Sequence, residues 1–280
     1  MSCQNILIKA ISSNQFLTKL RLNLGRFFGL IIIYASSLTW AASTSNNFPP
    51  ILVYHRFGPI VSDSMTVRTS EFIKQLEFIK ANSYQVVPLK WLLKSLQDAK
   101  QPLPDKSVII TVDDGHRSVY TELLPLIRQY KIPVTLFIYP SAISNASYAL
   151  TWEQLHELQE TGLVDIQSHT YWHPNFKIEK KRLSPDAYQA FIKVQLEKSR
   201  QVLAQHLGYT PNQIAWPFGI YDDELIAAAT QAGYIAGFTL DRRSPRVEDH
   251  LLALPRYLMV DSVGLEQFKR ILSPQNGARH

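Results

Sequence analysis

Two adjacent carboxylates, Asp113 and Asp114, close the β-branched run Ile109-Ile110-Thr111-Val112 and are followed by Gly115 and His116. Neighbouring carboxylates repel, so one of them is pushed toward its protonated form unless a cation or a proton donor stands beside the pair. Further along, Leu163-Val164-Asp165-Ile166 leads into Ser168-His169-Thr170-Tyr171-Trp172-His173-Pro174, which carries two imidazoles at i, i+4 spacing. Two neutral imidazoles and one carboxylate give a divalent ion three ligands and leave a position open for water, as in catalytic zinc-type sites. The second carboxylate is then free to act as a base beside that water. Taken singly, Asp-Asp-Gly is ordinary turn chemistry and paired histidines are more often surface or core residues. Their combination, each directly after an apolar run, is what points to a site.

The combination resembles the polysaccharide deacetylase family (carbohydrate esterase family four, the NodB homology domain), whose first two motifs read Thr-Phe-Asp-Asp-Gly and His-Ser/Thr-x-x-His-Pro. By that resemblance Asp113 is the catalytic base, and Asp114, His169 and His173 hold a divalent metal ion, Zn2+ before others. Ile214-Ala215-Trp216-Pro217-Phe218-Gly219-Ile220-Tyr221 resembles the third motif, Arg-x-Pro-Phe/Tyr-Gly, with Ala215 where the Arg would stand. Trp216-Pro217-Phe218-Gly219-x-Tyr221, the early Val53-Tyr54-His55 and the late Leu254-Pro255-Arg256-Tyr257 resemble the branch acting on the poly-N-acetylglucosamine of biofilms, which also lacks that Arg. The resemblance covers residues 50–272. It implies Tyr54, Trp216, Pro217, Phe218, Gly219 and Tyr221 as substrate-binding residues, with the Phe218 N–H stabilising an oxyanion.

Two roles remain to be filled. The family's late Leu-x-His, usual source of the general acid, is not present: His250 precedes Leu251-Leu252, and His280 is terminal. His55, after an apolar strand, is the first choice for the acid, with a hydrogen-bonded cleft or core histidine as the plain alternative. With Ala215 unable to donate, Arg256 is expected to orient the Asp113 carboxylate, since a planar guanidinium can form two parallel hydrogen bonds. The plain alternative pairs Arg256 with an unrelated surface acid. His116 reads as a cleft residue and not a ligand, and His156 and His206 as surface residues. Trp172, with Trp216, Phe218 and Tyr221, could stack on sugar rings.

Elements of two periods alternate around these residues. Buried parallel strands are predicted at Ile51–Tyr54, Tyr84–Val87, Val108–Val112, Pro133–Ile138, Leu163–Gln167, Gln213–Trp216, Ile235–Thr239 and Leu252–Leu254. Helices are predicted over Ser70–Ala81 with a polar N-cap, over Leu183–Leu207 from Ser184-Pro185 to Gly208, and from Thr151 onward. The alternation predicts an α/β protein, a distorted (β/α) barrel of about seven parallel strands in a single domain over 48–273. In such a barrel catalytic groups lie at strand C-terminal ends.

Residues 1–42 read as an export signal or N-terminal membrane anchor. Lys9, Lys19, Arg21 and Arg26 stand there without an acid, followed by the apolar run Phe27–Leu38 and small residues at Ala41-Ala42-Ser43, where cleavage is expected. A membrane contact is expected only through this segment if it stays uncleaved, and the expected location is the periplasm, cell surface or medium. The formal net charge is +6, from 29 basic and 23 acidic residues; setting those four aside leaves 25 against 23. The basic balance is therefore mostly a targeting effect, and no basic block with interleaved aromatics favours nucleic acid. The single Cys3 precedes the apolar run, so neither a disulfide nor a lipid-bearing cysteine is indicated. The functional expectation is removal of N-acetyl groups from a glucosamine-containing polysaccharide. The alternatives are an O-acetyl esterase on xylan or another acetylated glycan, and a catalytically silent carbohydrate-binding barrel.

Overall fold

The computed structural model describes residues 48–98 and 101–273. The segment predicted as an export signal lies outside them. Among the described residues ten strands occur in chain order: β1 Ile51–Tyr54, β2 Arg56–Gly58, β3 Thr66–Arg68, β4 Gln85–Val86, β5 Ser107–Asp114, β6 Val134–Ile138, β7 Val164–Ser168, β8 Gln213–Ala215, β9 Ala236–Phe238 and β10 Tyr257–Leu258. The helices are α1 Thr69–Ala81, α2 Leu89–Gln97, α3 Leu124–Tyr130, α4 Trp152–Glu160, α5 Phe176–Arg182, α6 Pro185–Lys193, α7 Ser199–Leu207, α8 Asp223–Gln231 and α9 Gly264–Leu272.

Seven parallel strands curl into a half-barrel in the order β10-β1-β5-β6-β7-β8-β9, with β4 added to β5 off that path. Between β9 and β10 the curl is spanned by a single bridge, Phe238 to Leu254. Both faces of the sheet are covered, which is why its strands read as continuous apolar runs rather than as alternations. Ile109 of β5 packs inside the curl with Ile51, Phe137, Ala215 and Phe238, whereas Val108, Ile110 and Val112 face outward against the helices. The register sets the level of the site: Asp113 is opposite Phe137, Ile138 opposite Ser168, and Ser168 opposite Ile214. The C-terminal ends of β5, β7 and β8 therefore come out on one rim.

Local signals explain most element ends. Thr151 and Gln154 form a reciprocal capping box at α4, and Ser184 caps α6 while Gly208 closes α7 in the left-handed conformation. The predicted Leu183–Leu207 helix is one run interrupted by a π turn at Val194–Lys198. Two predictions fail. Helix α1 starts at Thr69 after Arg68, which makes no side-chain cap; its backbone N–H is instead held by Asp261 at 3.0 Å. The predicted strand Leu252–Leu254 is a 3-10 turn over Leu251–Ala253, because the Leu252 N–H donates to His250 and its carbonyl accepts from Trp216. Both ladder groups of Leu252 are thereby taken, and the strand falls at Tyr257–Leu258. The β2–β3 pair has no counterpart among the predicted strands; three residues each are too short for a period-2 signal.

Candidate active site

Asp113 and Asp114 are the last two residues of β5. Asp114 (φ 75°) and Gly115 (φ 73°) are both left-handed, which turns the chain sharply off the strand. Gly115 is required twice over: a Cβ there would lie 3.0 Å from Ile138 Cγ2 and 3.2 Å from Ile143 Cδ1, and the backbone is one that side chains disfavour.

Asp113 is 1% exposed, and both of its oxygens are bonded to Arg256: Nη1 donates to Oδ1 at 2.8 Å and Nη2 to Oδ2 at 2.7 Å. Arg256 is itself fully buried, donating from Nε to the Thr239 carbonyl and from Nη1 to Thr111 Oγ1 as well. Its guanidinium lies against the rings of Phe137 and Phe238 inside the curl. Arg256 precedes β10 rather than ending a strand, and it reaches the rim by the length of its side chain. Burial alone would raise the Asp113 carboxyl; the Arg256 guanidinium, with His169 and His55, overrides burial and holds it down at about 2.

Asp114 Oδ1 lies 3.6 Å from His169 Nε2 and 3.6 Å from His173 Nε2. It is buried and has no hydrogen-bond partner among the described residues. His169 Nδ1 is 2.8 Å from the Ala215 carbonyl, an acceptor only, so Nδ1 carries a proton and Nε2 is the ring atom turned toward Asp114. Ala215 thus orients His169 through its backbone carbonyl. Burial, and then the neighbouring His169, hold His173 well below its ordinary pKa, leaving its lone pair free. Ligand atoms of Asp114, His169 and His173 all lie within 4.8 Å of one another. Two imidazole nitrogens and a carboxylate oxygen without a hydrogen-bond partner among the described residues fit a divalent ion.

His55 follows β1. Its Nδ1 is buried without a hydrogen-bond partner among the described residues. Burial lowers its pKa, opposed by Asp113 and Asp114 and reinforced by His169 and Arg256, so it stands within electrostatic reach of the whole cluster. Phe218 is left-handed (φ 58°), 56% exposed, and its ring centroid is 4.7 Å from that of His173. Gly219 (φ 68°) follows, where a Cβ would come within 2.9 Å of the Leu240 nitrogen. Pro217 is buried, and Trp172 and Tyr221 are exposed.

Two expected substrate contacts are corrected. The Tyr54 side chain is fully buried, packs on Phe57 and Phe72, and donates to Gln75 Oε1 at 2.6 Å, so it faces α1 rather than the cleft. Strand alternation sends it outward while His55 turns to the rim. Trp216 is fully buried, with Nε1 donating to the Leu252 carbonyl; it is core and cannot stack on a sugar. His116 bonds Ser118 and lies parallel to the Tyr148 ring, and His156 and His206 are exposed.

Tyr139 was not anticipated. It follows β6, its ring centroid is 5.4 Å from that of His173, and its hydroxyl is 2.9 Å from that of Tyr148. The rule that found His55, an aromatic or polar residue directly after a buried strand, would have found Tyr139 after Val134–Ile138.

The family model described as "Polysaccharide deacetylase" matches residues 100–237, which include both carboxylates and both histidines. The chain is 29% identical over 198 residues to a poly-beta-1,6-N-acetyl-D-glucosamine N-deacetylase of Staphylococcus epidermidis, covering 69% of this chain and 68% of that protein. It is 27% identical over 240 residues to the enzyme of the same name from Staphylococcus aureus, covering 84% and 82%. The fold is shared with the Streptococcus pyogenes deacetylase PplD (TM-score 0.71, 24% identity, 81% of this chain and 98% of that one). It is shared also with IcaB from Ammonifex degensii (TM-score 0.68, 21% identity, 81% and 97%). Sequence motifs, half-barrel and relatives agree, and residues 100–237 match a polysaccharide deacetylase domain.

Proposed function

We propose that this protein hydrolyses N-acetyl groups of a glucosamine-containing polysaccharide, poly-β-1,6-N-acetylglucosamine or a close analogue, as a metal-dependent enzyme acting outside the cytoplasm. The observation that carries this reading is the division of labour between the two carboxylates: Asp113 is clamped by Arg256, and Asp114 is left to His169 and His173. The named relatives support the substrate class, and the basic, apolar N-terminal sequence supports export. A divalent ion held by Asp114, His169 and His173, zinc before others given the two nitrogens, would polarise the acyl oxygen and make water in the site more acidic.

Asp113 takes the proton of the attacking water as the oxygen bonds to the carbonyl carbon. The clamp keeps it ionised at any working pH and aims it, at a cost in basicity. As the C–N bond breaks, the amine nitrogen needs a proton, and His55 is the residue to relay to it the one that Asp113 has taken from the water. Burial keeps His55 neutral at rest, while the nearby carboxylates favour its charged form; negative charge developing on the substrate adds to that pull. The Phe218 N–H, next to His173, stabilises the oxyanion. Acetate and a glucosamine unit are the products.

The test is acetate release from β-1,6-linked N-acetylglucosamine oligomers and from acetylated xylan, with and without a chelator. Chelator-sensitive release from the oligomers is expected. Release from xylan alone would make the protein an O-acetyl esterase, and none from either would leave a binding barrel. Asp113→Asn should retain metal while the rate falls by roughly two to four orders of magnitude; metal loss in that variant would reverse the roles of the two carboxylates.

A further inference from the structure

The loop that carries His173 is conformationally unusual. Thr170 (φ 66°) and His173 (φ 61°) both occupy the left-handed region without being glycine, so the loop holds its shape only if its surroundings impose it. Those surroundings come from the long helix behind it. The Trp172 N–H donates to Gln195 Oε1 at 3.1 Å, and Ser199 Oγ donates to the Thr170 carbonyl at 3.0 Å. Thr170 in turn holds the His173 N–H through its own hydroxyl at 3.2 Å. Ser168, Ser199 and Tyr234 share a buried chain of hydroxyls, and the Tyr234 hydroxyl also reaches the Leu196 carbonyl.

Gln195 and Leu196 lie in the π turn Val194–Lys198, an insertion that costs helix hydrogen bonding and tends to mark functional sites. Ile192, Gln195, Leu196, Ser199 and Leu203 form the buried stripe of this helix, and two of them are polar. Gln195 is fully buried, yet its Nε2 has no partner among the described residues. An apolar side chain of that size would avoid an unsatisfied donor, so stability alone does not favour a glutamine there. What the glutamine supplies is an acceptor for the Trp172 N–H.

We propose that Gln195, presented by the π turn, is a positioning residue that fixes the His169–His173 loop and thereby the geometry of the metal ligands. The inference rests on the ligand set under Proposed function and adds a residue from an element that touches neither substrate nor metal. Its signature is a loss of ligand geometry without a loss of stability.

The experiment compares the full-length wild type, Gln195→Met and Ser199→Ala by zinc affinity, measured in competition with a chromophoric chelator, by amide hydrogen exchange at 170–173, and by thermal melting. In Gln195→Met the Trp172 and His173 amides should exchange at least ten-fold faster, and zinc should bind roughly 10- to 100-fold more weakly, the usual effect of losing a group that orients a ligand. The melting temperature should stay level or rise. Ser199→Ala should show the same changes in smaller measure. Unchanged exchange, or faster exchange with zinc affinity at the wild-type level, would overturn the proposal. So would a fall in melting temperature that accounts for the weaker binding. Wild-type protein that takes up no zinc would count against the ligand set itself, and against this role with it.

Discussion

With both oxygens of Asp113 bonded to one guanidinium, each still has a lone pair to turn toward water, and the carboxylate plane is fixed. A lysine at 256 would keep the charge but offer one point of attachment, so Arg256→Lys should lower turnover by about ten-fold or more with metal content unchanged. The complete burial of Arg256 adds a stability effect: Arg256→Ala leaves an uncompensated buried carboxylate and should cost about 3–5 kcal/mol. Urea unfolding checks the second outcome, and steady-state kinetics with metal analysis the first. Near-normal turnover in both variants would remove Arg256 from the mechanism. The pair also predicts a pH dependence. Asp113 is depressed from 3.8 to about 2, so its stabilisation is complete above pH 4 and is lost as pH falls toward 2. Its size is about 2 kcal/mol. Metal-free wild type should therefore lose that much more stability between pH 5 and pH 2 than Asp113→Asn/Arg256→Met; equal losses would show that the pair is not what titrates.

The turn after β5 and the loop after β7 place the candidate ligands, and both rely on left-handed residues, the second of them held by the π turn Val194–Lys198. Gly115 is the least replaceable of them. Gly115→Ala forces a Cβ to 3.0 Å from Ile138 Cγ2 in a backbone that alanine disfavours, at about 1–3 kcal/mol. It should also displace Asp114, the next residue back, and so weaken metal binding. Equilibrium unfolding together with zinc titration would detect both effects, and a variant with wild-type values in each would show that the turn tolerates a Cβ.

For the whole molecule, the strands whose ends form the rim all lie within 48–273. Among the described residues no helix is long and apolar enough to cross a membrane. A protein running from Phe48 to Ser273 should therefore fold and release acetate within a few-fold of the full chain. In cells, cleavage near Ala41-Ala42 should give a mature form that mass spectrometry of the exported fraction would identify. An inactive or unfolded short form would assign residues 1–47 a part in the fold, and an intact N-terminus on exported protein would make the segment an anchor.

The residues of the candidate site are readable from the chain because strand, carboxylate pair and histidine pair are local patterns, each with its own spacing. Asp113, Asp114, His169 and His173 stand together as the two motifs required, and the apolar runs that carry them became β5 and β7. The sequence also indicated that a guanidinium was missing at 215. Which way a side chain points from a strand end was not readable. Tyr54 and Trp216 sit beside motif residues yet face the core, because alternation and packing, not proximity in sequence, decide exposure. Nor could local patterns show that the apolar run Leu252–Leu254 forms no strand, since the hydrogen-bonding groups of Leu252 are taken by His250 and Trp216 from outside any ladder. The pairing of Arg256 with Asp113 spans 143 residues, and the support of His173 by Gln195 runs through a π turn. Such contacts depend on how the sheet curls and on where a helix gains one residue, and only the folded chain decides either.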